Sequence, residues 1–204
     1  MGSSGRASYG TVSEVDTAAG PPVLKSAAPH IRPCEADQVN QDWENRVAAT
    51  WATFDDYAQD RAADFRALID ALVAELPEGS PDAPFEQACA WDSTGRSDRA
   101  VPLYREALAR GLTGYKARRA KIQLASSLRN TGHPEEGVEL LTPELDAPSD
   151  ELDDAVRATL ALCLSSLGRD REGLSLALGA LAAHLPRYQR SMANYARALT
   201  EPAG

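Results

Sequence analysis

A chain of 204 residues with 43% hydrophobic and 25% charged residues and a net charge of −9 can bury a sizeable core, and its acidity argues against general nucleic-acid affinity. No apolar run approaches the roughly 18 residues of a membrane-spanning helix, and the first residues lack the charged-then-apolar pattern of a secretory signal. Cys34, Cys89 and Cys163 are odd in number and widely spaced, which implies neither a disulfide framework nor a zinc knuckle. The expectation is a cytoplasmic protein with no metal or other cofactor and no membrane contact. Three lysines against many arginines fit a GC-rich, bacterial coding sequence.

In chain order, residues 1–40 are rich in Gly, Ser, Ala and Pro and show neither helical nor strand period, so they are expected to be disordered or extended. A docking segment at Pro21-Pro22-Val23-Leu24, or a natural start near Val39, are the alternatives. Residues 41–80 then form an N-terminal helical cap. Trp43, Val47, Trp51, Phe54 and Ala58, followed by Phe65, Leu68, Ile69, Leu72, Val73 and Leu76, recur at spacings of three and four. Asn40 or Asp42 caps this stripe and Pro77 ends it, as one long helix or two. Trp43 and Trp51 are read as core residues.

Residues 81–185 read as three helical hairpins. The first pair of helices runs from Pro84 to Thr94 and from Ser97 or Asp98 to Gly111. The second runs from Thr113 or Gly114 through Arg129, and from Pro134 to about Leu145. The third starts at Ser149-Asp150-Glu151, runs to Leu167, and returns from Arg169 to Ala183. Residues 186–204 hold a closing helix, begun by Pro186, and a tail; on that helix Tyr188, Met192, Tyr195 and Leu199 share a face. The turns hold Gly95, Gly132 and Gly168, spaced close to the roughly 34-residue period of a known helical repeat. Around each, small and large residues recur: Ala88 and Trp91 before Ala100 and Tyr104; Ala125 and Leu128 before Gly137 and Leu141; Ala161 and Leu164 before Gly173 and Ala177.

This order resembles the tetratricopeptide repeat, and specifically a small bacterial group with about three degenerate copies. The aromatic of the first helix is kept only at Trp91, and the late proline of the pattern is missing from all three copies. The resemblance implies an all-α fold, a right-handed superhelical array of antiparallel hairpins (an α-solenoid) with capping helices at both ends. It also implies a groove lined by the first helix of each hairpin, with Phe85, Cys89 and Asp92 from the first copy. The second copy would contribute Arg119, Ile122, Gln123, Ser126, Arg129 and Asn130. Arg119 and Arg129 are expected to make paired hydrogen bonds to a carboxylate or phosphate, and Gln123 with Asn130 to bond a peptide backbone. Ile122 and Ser126 stand where chaperone-binding members carry Lys and Asn, so no chaperone-tail clamp is expected.

Charge is segregated. Between Arg96 and His133, nine basic residues stand against two acids, either to balance acidic flanks or to face an anionic partner. Catalysis has little support. His30, His133 and His184 lack metal spacing, no phosphate loop follows a strand, and the cysteines sit among alanines as small core residues. The sequence thus reads as a non-catalytic adaptor or scaffold that binds a protein or peptide, an acidic one among the candidates. The alternative is a regulatory repeat protein holding a small anion or self-assembling, a homodimer included.

Overall fold

The computed structural model describes residues 35–57 and 59–201, with side chains described from residue 40 and not at residue 59. The leader up to residue 34, its docking segment, Cys34 and His30, and also Ala58, lie outside the described residues. Those described form helices α1 Glu35–Trp51, α2 Ala62–Val73, α3 Asp82–Ser93, α4 Ser97–Ala109, α5 Gly114–Asn130, α6 Pro134–Leu141, α7 Asp153–Ser166, α8 Asp170–His184 and α9 Gln189–Ala198. Short 3-10 turns occupy Phe54–Asp56, Gln59–Arg61 and Thr142–Asp146, and no strand occurs among the described residues. Each helix of the array packs on its neighbours in sequence, and α5 also lies directly against α3 and α7.

The glycine turns explain the period. At Gly95 (φ 79°), Gly132 (φ 88°) and Gly168 (φ 73°) the chain enters the left-handed region that glycine alone reaches freely. The next N–H reaches back to the carbonyl of Trp91, Leu128 or Leu164 at 2.9, 2.9 and 3.0 Å. The glycine N–H itself bonds Asp92, Arg129 or Ser165. This pair of bonds is the Schellman closure, and it satisfies carbonyls that a helix end would orphan. Trp91, Leu128 and Leu164 therefore recur for two reasons, packing and helix termination.

Small residues let each hairpin close. A Cβ at Gly137 would lie 3.2 Å from the Ala125 carbonyl and 2.8 Å from Cys163 Sγ, and one at Gly173 would lie 2.8 Å from the Ala161 carbonyl. The register Ala125/Gly137 and Ala161/Gly173 expected from the sequence is thus a real close approach. The first hairpin carries Ala88 and Ala100 there, both fully buried.

Before the array the chain makes two helices rather than one. The break turns Phe54 and Tyr57 onto the buried ring of Phe65, at centroid distances of 4.9 and 5.5 Å and edge-on angles. Trp51 joins this cluster at 4.9 Å, and Trp43 is buried with its Nε1 donating to the Leu72 carbonyl at 2.9 Å. Trp43 is a core residue, and Trp51, half-buried, packs against the core.

Several boundaries differ from expectation. α1 begins at Glu35, ahead of Asn40 and Asp42. α6 ends at Leu141 instead of Leu145, because Pro143 has no N–H to continue the ladder and a 3-10 turn follows. α7 starts at Asp153 instead of Ser149–Glu151: Asp150 Oδ1 accepts the Leu152 N–H at 2.7 Å, an Asx turn ahead of the helix. α9 starts at Gln189 and not at Pro186, since Tyr188 adopts left-handed φ 68°.

Candidate interaction groove

Side-by-side stacking of α3, α5 and α7 sets residues about one repeat apart against each other. Cys89 Sγ donates to Gln123 Oε1 at 3.4 Å, Ser127 Oγ donates to Asp92 Oδ1 at 2.7 Å, and Asn130 Nδ2 donates to Ser97 Oγ at 3.5 Å. Asp92 also accepts from Ser97 at 3.2 Å and from Tyr104 at 3.5 Å. At the α1 side, Trp51 Nε1 donates to the buried Glu86 carboxylate at 2.9 Å.

These contacts redistribute the expected groove residues. Phe85 is fully buried and Cys89 is 2% exposed, because Arg119 and Gln123 of the next first helix lie over them. The Arg119 guanidinium sits 5.4 Å from the Phe85 ring centroid, within cation-π reach. Phe85 and Cys89 therefore form a floor and cannot touch a partner, which corrects that expectation. Ile122 is also buried, and Asp92 is half-buried and engaged by three hydroxyls. Arg119, Gln123, Ser126 and Arg129 are half-buried, and Asn130 is exposed. One repeat on, Leu162 of α7 is 51% exposed. Sequence reasoning missed it, although its register matches Ser126.

The nine cations between Arg96 and His133 divide into two sets. Arg96, Arg99, Arg105, Arg110, Lys116, Arg118 and Lys121 all meet carboxylates. Arg118 is the most enclosed. It bonds Asp150, donates to Asp153 at 2.9 Å and to the Glu144 carbonyl at 3.1 Å, and sets its Nε 3.4 Å from Glu144 Oε2, out of line for a hydrogen bond. Lys121 also binds Glu144, and Lys116 joins Glu44 and Asp82. The Ser149 hydroxyl and then Arg118 hold the Asp153 carboxyl down to about 2.

Arg119 and Arg129 form the second set. Neither makes an ion pair with any described carboxylate. Arg129 donates only to Asn130 Oδ1 at 2.9 Å, and its Nε is buried without an acceptor. Ten residues of helix at 1.5 Å each put their Cα atoms about 15 Å apart.

Burial pushes the Cys89 thiol up to about 12, and burial also raises Cys163. Neither is a thiolate near neutral pH, so neither suits nucleophilic chemistry. None of the described helices is long and apolar enough to cross a membrane. No curated protein and no solved structure matches the chain. A family model described as tetratrico peptide repeat matches residues 81–199, the span from the start of the first hairpin to the end of α9. With that span, the glycine closures and the small-residue register all in agreement, the chain belongs to the tetratricopeptide repeat family.

Proposed function

We propose that this protein is a non-catalytic interaction module whose groove along α5 takes a peptide or helical segment bearing acidic side chains. The family is one of protein-interaction repeats and is typically non-catalytic. The observation that carries the acidic preference is the charge census: the protein neutralises seven of its central cations and leaves Arg119 and Arg129 on the helix that the register assigns to the groove. A guanidinium without a carboxylate partner is suited to bidentate bonding of an incoming one.

The spacing adds a requirement on the ligand. About 15 Å of helix between the arginines corresponds to four or five residues of an extended peptide at about 3.3 Å each. Gln123 and Ser126 lie between them for backbone contacts, and Leu162 offers an apolar neighbour on α7. A cytoplasmic adaptor role belongs to this reading.

Fluorescence anisotropy with labelled extended peptides carrying two glutamates at varied separations tests it. Tightest binding is expected at a separation of four or five residues, weakening with salt, and at least tenfold weaker for Arg119→Ala or Arg129→Ala. Equal binding by the wild type and the double variant would remove the groove reading. A response to inorganic phosphate alone, as a salt-sensitive rise in melting temperature, would favour the small-anion regulator instead.

A further inference from the structure

The α8–α9 corner carries a second surface, unrelated to the groove. From Gly173 to Thr200 there is no carboxylate, while Arg187, Arg190 and Arg197 all fall there. Arg187 and Arg190 are exposed and meet no carboxylate among the described residues. Tyr188 and Tyr195 are 76% and 66% exposed, two helical turns apart. With Leu185, Pro186 and Met192 they border an open cavity of about 770 Å³. Tyr188 takes a left-handed φ of 68°, a conformation costly for a bulky aromatic, and the ring is left facing solvent.

The opposite chemistry lies at the other end of the array. Residues 41–80 hold nine carboxylates against three arginines. At the α1–α2 turn, Asp55 and Asp56 are exposed and make no ion pair among the described residues. Beside them an open cavity of about 670 Å³ is bordered by Phe54, Tyr57, Ser93 and Thr94. Each end thus pairs unneutralised charge with aromatic rings around a concavity, and the signs are opposed.

We propose that the α8–α9 corner docks on the α1–α2 turn of a second copy of this chain. Arg187 and Arg190 meet Asp55 and Asp56 across the contact, and Tyr188 or Tyr195 enters the cavity beside Phe54 and Tyr57. The two patches differ, so the contact is heterologous, and it builds rings or open chains rather than a two-fold dimer. Its strength depends on ionic strength, because the charges are at the rim.

Sedimentation velocity of the full chain across a concentration series, at about 0.05 and about 0.5 M salt where screening lengths differ roughly threefold, reads this out. Concentration-dependent assembly is expected at the lower salt and at least tenfold weaker at the higher. Arg187→Glu with Arg190→Glu, and separately Asp55→Lys with Asp56→Lys, should each yield monomer with wild-type far-UV circular dichroism. Mixing the two variants should restore assembly with the copies alternating, because each corner then meets a turn of opposite charge. Tyr195→Ser, on an exposed position, should weaken assembly without reversing any charge. A wild type that stays monomeric at low salt, or assembly indifferent to both charge reversals, would overturn the proposal. Binding of a monomeric wild type to anionic lipid vesicles, lost on reversing Arg187 and Arg190, would overturn it too and give the face to a membrane surface.

Discussion

The two joints between successive hairpins share an apolar core and differ in the polar groups around it. Between α3 and α5 the contact is made by buried apolar groups, hydroxyl bonds to Asp92 and the Lys116–Asp82 ion pair, with Arg119 laid over Phe85. Between α5 and α7 the buried apolar groups Ile122, Ala125, Val156, Leu160 and Cys163 are flanked by an ion cluster, in which Arg118 and Lys121 meet Glu144, Asp150 and Asp153. Arg118 and Arg119 are adjacent in sequence, yet one is consumed by structure and the other is left over. A helix turns about 100° per residue, so neighbours in the chain face different neighbours in space. Charge alone does not mark a binding residue; what matters is whether the fold has already supplied its counter-ion.

Arg118→Ala is the largest test of that contrast. It removes the cation shared by Glu144, Asp150 and Asp153, leaving Glu144 with Lys121 alone, and should cost roughly 3 kcal/mol in urea unfolding, as removal of one partner from a buried ionic cluster does. A loss under about 1 kcal/mol would show that the α5–α7 joint does not depend on the cluster. Asp92→Ala makes the matching cut in the other joint. Ser127, 0% exposed, loses its acceptor, and about 2 kcal/mol is expected from the unsatisfied hydroxyl and the two other lost bonds.

Acid separates the joints without any mutation. Asp153 is held below the ordinary carboxylate range, so its contribution is present above about pH 4 and is lost as pH falls towards 2. Glu86 runs the other way, because burial raises it while the Trp51 hydrogen bond opposes the shift. Its contribution is present below the ordinary carboxylate range and is lost as pH rises through its raised value. Acidification therefore loosens α5–α7 while relieving the α1–α3 contact. Trp43, Trp51 and Trp91 all lie on that second side. Between about pH 4 and 2, helical circular dichroism should fall before tryptophan emission shifts, and Asp153→Asn should abolish the lag; coincident transitions would contradict it.

The smallest stability change is expected for Arg119→Ala, under about 1 kcal/mol for the lost contact with Phe85, beside the roughly 3 kcal/mol for its neighbour. Equal losses at the two positions would erase the distinction on which the groove assignment rests.

The glycine closures were readable because they depend on a few consecutive residues, and the small-residue register because its partners recur at one period. Boundaries shaped by Pro143, Asp150 and Tyr188 were misplaced, since a 3-10 turn, an Asx turn and a left-handed residue each compete locally with helix. For the groove, register assigns Arg119, Gln123, Ser126, Arg129 and Asn130 to one side of α5, whereas the burial of Phe85 and Cys89 could not be read from it. Register gives the side of a helix, not what the next helix lays over it.

The sequence by itself determined the helical class, the repeat period, the turns and the concentration of positive charge between Arg96 and His133, all properties of neighbouring residues or of their recurrence. Only the tertiary structure decided which of those cations remain without a carboxylate. The acids that neutralise Arg118 lie more than twenty residues away in sequence, and stacking of α5 on α7 brings them within bonding distance.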